Sequence, residues 1–104
     1  MNISIVIPCY RSENTLPGVI REIDQVMDQT GETYEIILVN DGSPDGTAAI
    51  VKRLQEEFED RLHMIERKGK LGLGTAYITG FKWSVEHGYD YIFEMETKFY
   101  IFFC

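Results

Sequence analysis

Residues that could contact a ligand stand where three predicted strands end. Tyr10 and Glu13 follow the first strand, Asp41 follows the second, and a glycine-rich loop with basic residues follows the third. The carboxyl ends of parallel strands meet at one edge of an open sheet, which is where ligands bind. A carboxylate there can accept from a base N–H or a ribose hydroxyl, an aromatic ring can stack on a base, and cations can neutralise a diphosphate. These roles depend on whether the strands pair as predicted.

Each of these residues also has a structural interpretation, and the residues alone do not decide between the two. Asp41 precedes a glycine and can form an Asx turn that caps the second helix. Tyr10 can cover the sheet edge, and Glu13 can be a carboxylate in the first turn of a helix. An ordinary solvated loop equally explains the densest positive cluster of the chain, which consists of Arg67, Lys68 and Lys70.

Several common motifs are absent from the sequence. No G-x-G-x-x-G follows the first strand, which counts against a dinucleotide-binding dehydrogenase, and Lys70 is followed by leucine rather than by the Ser or Thr of a P-loop. His63 and His87 form no triad or metal pair, so we expect structural roles for both. Cys9 and Cys104 lack metal-ligand spacing and are expected to be reduced thiols.

The elements that must position these residues alternate along the chain. An apolar strand ends at Pro8, and a helix with apolar residues at helical spacing follows it and stops at Gly31. The remaining predictions are strands over 34–39, 62–65 and 89–95, a second helix with Ser43 or Asp45 as its cap and Val51, Leu54 and Phe58 as its buried residues, and a helix from about Thr75 to Gly88 that carries Ala76, Gly80, Phe81 and Val85. The order βαβαβαβ predicts a three-layer α/β/α fold with a mainly parallel sheet.

Length and charge limit the classes of function. The 104 residues suffice for one domain, 1–104, and the net charge of -7 argues against binding to nucleic acid or to anionic lipid. The start of the chain shows no basic leader, and no apolar run approaches the roughly 18 residues that span a bilayer. We therefore expect a cytoplasmic protein, with a peripheral position at the cytoplasmic membrane face as the alternative.

Three longer stretches carry a resemblance to a known family. They are residues 4–10 (SIVIPCY) with Glu13 and Asn14, residues 35–47 (EIILVNDGSPDGT), and residues 67–80, which contain KLGLGTAY. Together they resemble glycosyltransferase family 2, the inverting enzymes with a GT-A fold, and are most similar to dolichol- and polyprenol-phosphate mannose synthases. The likeness covers residues 3 to about 95.

The resemblance implies a Rossmann-like half of a GT-A fold that binds a nucleotide-sugar, either GDP-mannose or a UDP-sugar. In the full-length family the sugar is transferred with inversion to a polyprenyl phosphate. By this resemblance Pro8, Tyr10 and Glu13 line the nucleoside pocket, and Asp41 contacts the base or the ribose. The loop near the nucleotide and the sugar contains Lys70, Gly72 and Gly74.

The sequence departs from the family at the metal site. The family places Asp-x-Asp at the end of the fourth strand, where the carboxylates hold Mg²⁺ or Mn²⁺ against the diphosphate. The aligned residues here are Glu96, Thr97 and Lys98. Glu96 is the remaining metal-ligand candidate, and Lys98 puts a cation where the second carboxylate would be. We therefore expect metal binding to be weak or lost.

A second departure concerns the C-terminus. Family members continue with an acceptor half, and residues 96–104 shift to an atypical aromatic composition. We expect a truncated copy that has no catalytic residue of its own and no stand-alone transfer, and that meets polyprenyl phosphate only if the missing half is supplied. The alternatives are a non-catalytic nucleotide-binding module and a vestigial module that forms a homo-oligomer through its exposed sheet edge.

Overall fold

A computed structural model of the chain describes residues 2–10, 12–42, 45–68 and 72–95. Within these residues the elements are β1 (Asn2–Cys9), α1 (Leu16–Thr30), β2 (Thr33–Asn40), α2 (Thr47–Phe58), β3 (Leu62–Glu66), α3 (Leu73–Glu86) and β4 (Tyr91–Glu94), with a single 3-10 turn at Glu59–Arg61. The predicted order βαβαβαβ is confirmed.

The four strands form one sheet in the order β3-β2-β1-β4, and every pairing among the described residues is parallel. β1 pairs with β2 as far as Cys9, which lies opposite Asn40. Within the described residues, β1 pairs with β4 as far as Val6, which lies opposite Glu94. From β1 the chain adds β2 and β3 on one side of the sheet and then β4 on the other side. Open α/β sheets form their ligand crevice at such a change of direction, at the carboxyl ends of the strands.

The helices cover both faces of the sheet. On one face α1 and α2 pack on the odd-numbered residues of β1, such as Ile5 and Ile7, through a core that includes Leu16 and Val51. On the other face α3 packs on Val6 and its neighbours in β2. The predicted three-layer α/β/α arrangement is therefore confirmed.

Helix α1 shows how local residues set an element's limits. Thr15 occupies the N-cap position, Pro17 lies in the first turn, and Gly31 ends the helix with a left-handed φ of 72°. Proline suits a first turn because its missing N–H has no helical partner there, and glycine adopts positive φ without steric cost. The stop at Gly31 therefore agrees with the residue that predicted it, and Thr15 holds the N-cap position without a side-chain cap hydrogen bond.

Helix α3 packs unusually close to the sheet because its inner face is made of small residues. Ala76, Gly80 and Ser84, spaced four apart, are buried, and the Ser84 hydroxyl lies 2.6 Å from that of Ser4 in β1. Val85, which the helix also carries, is 69% exposed. Small residues rather than this large apolar one therefore turn toward the strands.

Within the described residues, the face of β4 on the α1 side is open. Tyr91 and Phe93 point to this side, and Phe93 is 55% exposed. A cleft of about 560 Å³ lies between β4 and α1, with Ile3, Ile23 and Met27 among its lining residues. No helix among the residues that the structure describes is both long enough and apolar enough to cross a membrane.

Candidate functional site

The loops after β1, β2 and β3 meet at the carboxyl edge of the sheet. The backbone N–H of Asp41 donates to the carbonyl of Cys9 at 3.0 Å, which joins the ends of β1 and β2. The backbone N–H of Arg67 donates to the carbonyl of Asn40 at 2.9 Å, which joins the ends of β2 and β3. The predicted ligand-contact residues of these loops therefore share one edge.

Asp41 is the buried centre of this edge. Its side chain is 6% exposed, and its Oδ1 lies 2.5 Å from Nη2 of Arg67. Its Oδ2 accepts from the backbone N–H of Gly72 at 3.2 Å. The carboxylate is thus directed at the loop before α3. An Asx turn at Asp41 would involve the N–H of Ser43, which lies outside the described residues, so that interpretation stays a prediction.

Arg67 is buried with Asp41 rather than solvated. Its side chain is 8% exposed, and besides the ion pair it donates from Nη2 to the carbonyl of Gly72 at 3.1 Å and from Nη1 to Oγ1 of Thr75 at 2.9 Å. Its Nε is also buried and finds no acceptor among the described residues. The solvated-loop interpretation is therefore wrong for Arg67, although Lys68 is exposed. Lys70 lies outside the described residues.

The backbone at Gly72 explains why glycine stands there. Gly72 has a φ of 103°, in the region that side-chain-bearing residues rarely adopt. Its carbonyl accepts from the backbone N–H of Ala76 at 3.1 Å and from Oγ1 of Thr75 at 2.9 Å, so it begins α3. Gly74 is exposed in the first turn, and no atom of the described residues lies within 4 Å of where its Cβ would be. The N-terminal turn of α3 thus opens onto the same edge as Asp41.

The loops after β1 and β2 hold each other through the first residue of α2. The backbone N–H of Ser12 donates to Oγ1 of Thr47 at 2.9 Å. Asp45 accepts from that hydroxyl at 2.5 Å and from the Thr47 N–H at 3.1 Å. These hydrogen bonds, the Thr47 hydroxyl first, lower the pKa of Asp45. Helix α2 starts at Thr47, with Gly46 at the N-cap position and no side-chain cap hydrogen bond. The prediction that Asp45 occupies the cap position is therefore wrong, although its carboxylate accepts from the N–H of Thr47. Ser43 lies outside the described residues.

The three predicted nucleoside-pocket residues lie at this edge in different settings. Pro8 is buried within β1 opposite Val39, and Tyr10 is half-buried just beyond the strand. Glu13 is half-buried in the turn before α1, and its Oε2 packs so closely on Gly46 that a Cβ there would overlap it. Their contacts with a ligand remain predictions.

Cys9 lies at the same edge but is not a nucleophile. It is buried, and burial, together with the negative charges of Asp45 and Asp41, raises the pKa of its thiol to about 12. Because the thiolate is the reactive form, a thiol with this pKa is inert near neutral pH.

The described residues contain no group of three or more His, Cys, Asp and Glu side chains placed to hold a metal ion. Glu96, the predicted metal ligand, lies outside them. Both histidines make structural contacts on the α3 side of the molecule. Nε2 of His63 contacts Oε1 of Glu35, and the ring of His87 stacks on Trp83 with centroids 3.7 Å apart.

The pairing of Asp41 with Arg67 is the feature that sequence reasoning missed. The two residues are 26 positions apart, and neither stands in a spacing that marks an ion pair. Their positions just after neighbouring parallel strands were the available signal, because adjacent strands bring their following residues together.

Comparison with known sequences shows a match over most of the chain. Residues 4–95 match the family described as Glycosyl transferase family 2. The chain is 37% identical to polyprenol monophosphomannose synthase of Mycolicibacterium smegmatis and 33% identical to undecaprenyl-phosphate mannosyltransferase of Micrococcus luteus. These alignments cover 89% and 93% of this chain but 34% and 38% of those proteins. The chain therefore spans little more than a third of their length.

Comparison with solved structures gives the same architecture. TarS of S. aureus superposes with a TM-score of 0.75 at 19% identity, over 93% of this chain and 27% of that one. The mannosyltransferase PcManGT from Pyrobaculum calidifontis, in complex with GDP-Man and Mn²⁺, superposes with a TM-score of 0.62 at 25% identity, over 78% of this chain and 24% of that one. The α/β fold is thus that of the GT-A glycosyltransferases.

Proposed function

This chain belongs to glycosyl transferase family 2, and we propose that it is the part of the enzyme that binds the nucleotide-sugar donor. The observation that carries the proposal is the buried Asp41, held by Arg67 and Gly72 at the carboxyl edge of a parallel sheet. A carboxylate fixed in this way can still accept from a base N–H or a ribose hydroxyl, because its two oxygens offer about four lone-pair positions.

The proposed donor pocket extends from Asp41 to the neighbouring loops. Tyr10 and Glu13 would line its nucleoside end, and Gly74 would leave the first turn of α3 accessible to the diphosphate. Helix N-termini favour anions because their N–H groups are unpaired and the helix dipole is positive there. Lys70, in the same loop, would add a positive charge.

We propose mannose as the sugar and a polyprenyl phosphate as the acceptor in the full-length protein. The names of the two mannosyltransferase relatives and the GDP-Man held by PcManGT support this choice. An acceptor phosphate is already anionic, so it can attack the anomeric carbon without a strong general base. The rate would then come from alignment and from stabilisation of the departing diphosphate. Such an acceptor is a membrane lipid, so we propose that the enzyme works at the cytoplasmic face of a membrane.

The residues present do not fit a divalent metal. The described residues offer no cluster of ligands, and the sequence that follows β4 supplies one carboxylate, Glu96, with a lysine two residues later. Carboxylate and carbonyl oxygens are the ligands that Mg²⁺ and Mn²⁺ require. We therefore assign no step to a metal and propose that residues 1–104 alone do not complete a transfer.

Isothermal titration tests the proposed donor site. The chain is titrated with GDP-mannose and with UDP-glucose, each with and without Mn²⁺. We expect heat of binding with a donor and its loss in Asp41→Asn, which changes the charge but not the shape. Asp28→Asn is the matched control, since Asp28 is exposed on α1. Absence of heat from folded wild-type protein, or equal losses in both variants, would refute the proposal.

A second candidate is a self-associating module that does not catalyse transfer. Within the described residues the face of β4 is open, with Phe93 55% exposed, and its outer edge is unpaired. This favours self-association because an unpaired strand edge beside apolar side chains invites a second copy. Sedimentation of the wild type and of Phe93→Ser over a range of concentrations separates the two. A dimer that Phe93→Ser abolishes supports self-association, and a monomer throughout rejects it.

A further inference from the structure

We propose that Arg67 is a positioning residue that orients Asp41 and fixes the start of α3 for donor binding. The inference rests on the proposed donor site but concerns a residue that acts through Asp41 rather than on the donor itself. Three features of Arg67 support the inference: its side-chain contacts, its burial and the hydrogen bond that anchors its backbone.

The guanidinium joins three pieces of the edge. Nη2 pairs with Asp41 at 2.5 Å and donates to the carbonyl of Gly72 at 3.1 Å, while Nη1 donates to Thr75 at 2.9 Å. Gly72 closes the arrangement by donating its N–H to Asp41 at 3.2 Å. Both oxygens of the carboxylate are thus held, which leaves its plane little freedom to rotate.

Burial makes this arrangement depend on the pair. The side chains of Arg67 and Asp41 are 8% and 6% exposed. Removal of Arg67 leaves the carboxylate of Asp41 buried without compensation, so Asp41 rearranges or takes up a proton. Lysine does not replace arginine here, because a single ammonium cannot span the positions that the planar guanidinium reaches.

The backbone of Arg67 is anchored as well. Its N–H donates to the carbonyl of Asn40, the residue that precedes Asp41. The loop after β3 is thus tied to the end of β2 by main chain and by side chain. Lys68, the next residue, is exposed and carries the same charge. It therefore serves as a control for the effect of a positive charge in this loop on donor binding.

A double-mutant cycle on donor affinity tests the proposal. We expect Arg67→Met to weaken GDP-mannose binding by about tenfold or more, since it removes a charge-assisted hydrogen bond to the ligating carboxylate. Asp41→Asn added to Arg67→Met should then cost less than about twofold more, because the two residues act as one unit. Lys68→Met, the matched control, should bind as the wild type does.

Two results would overturn the proposal. If the losses from Arg67→Met and Asp41→Asn multiply, Arg67 acts on the donor independently of Asp41. If Arg67→Met binds normally, it does not position Asp41. Should Arg67→Met fail to fold, Arg67→Lys serves in its place, with a partial loss of affinity expected and an unchanged affinity counting against the idea.

Hydrogen exchange at the Gly72 amide separates this inference from the proposed function. This N–H donates to Asp41, so its protection should fall in Arg67→Met and stay normal in Lys68→Met, with no donor present. A wild-type protein that binds no donor but shows this pattern would refute the proposed function and keep the positioning role. Unchanged protection in Arg67→Met would refute the positioning role itself.

Discussion

Replacement of Gly80 by alanine tests how closely α3 approaches the sheet. A Cβ at Gly80 would overlap Cγ1 of Val6 and would lie 3.2 Å from its Cγ2 and 3.3 Å from Cγ2 of Val39. Non-bonded carbon atoms prefer separations of about 3.5–4.0 Å. Both valines are fully buried in adjacent central strands, and a β-branched side chain has few rotamers available for escape. The helix must therefore move away from the strands.

The expected loss of stability is the difference between two opposing terms. Overpacking of a core costs about 1–3 kcal/mol, and three simultaneous close contacts place this case at the upper end. Alanine is a better helix former than glycine by about 1 kcal/mol, which opposes the loss. We expect a net destabilisation of about 2 kcal/mol.

Urea unfolding followed by circular dichroism measures this difference. For a domain of this size the free energy of unfolding falls by about 1–1.5 kcal/mol per molar urea, so the midpoint should drop by roughly 1.5 M. Gly74→Ala is the matched control in the same helix, because no atom of the described residues lies within 4 Å of a Cβ at that position. It should leave the midpoint unchanged or raise it, by at most about 1 kcal/mol in stability.

The reasoning is refuted if Gly80→Ala moves the midpoint no further than Gly74→Ala does. A second variant checks the cause. Val6→Ala also destabilises because it leaves a cavity, but the double variant Val6→Ala/Gly80→Ala should lose less than the sum of the two, since the new methyl group occupies the vacated space. Additive losses would show that the two side chains do not meet.

Three further predictions concern single groups. In a Cys104→Ser background, Cys9 should resist iodoacetamide in the folded protein and react once denaturant is added, because burial raises its pKa to about 12. Rapid modification of the native protein would contradict its burial. Asp45→Ala should destabilise the protein at neutral pH, because hydrogen bonds from the start of α2 lower the pKa of this carboxyl. Their contribution is lost on protonation, so the difference in melting temperature between the variant and the wild type should shrink as the pH falls below about 4. A difference independent of pH would exclude this cause. Ser84→Ala should lower the free energy of unfolding by about 1–2 kcal/mol, because it deprives the buried hydroxyl of Ser4 of its partner. Ser4→Ala/Ser84→Ala should lower it by less than the sum of the single changes. Additive shifts of the urea midpoint would exclude the coupling.

Much of the architecture follows from residues close together in sequence. Gly31 ends α1 in the left-handed conformation that its position predicts, and Asp45 stands at the start of α2. Alternation of strands and helices favours a parallel sheet, because the helix runs back across the sheet and the next strand starts again at the same end. The edge at which Tyr10, Asp41 and the loop before α3 assemble follows from the same rule.

The partners at that edge do not follow from the sequence. From the sequence alone, Arg67 is equally consistent with a solvated cation and with a diphosphate ligand. Its burial against Asp41 depends on two loops that different strands place. Val85 likewise has the spacing of a buried residue but is exposed, since the approach of α3 is set by the small residues on its other side.

The sequence by itself thus determined the elements, their order and the edge of the sheet that carries the site, because helical and strand periods and turn residues act over a few positions. The tertiary structure alone decided which charge meets Asp41, how closely α3 lies on β1, and toward which side of the sheet Phe93 points. These depend on distances between side chains far apart in the chain, and only packing sets such distances.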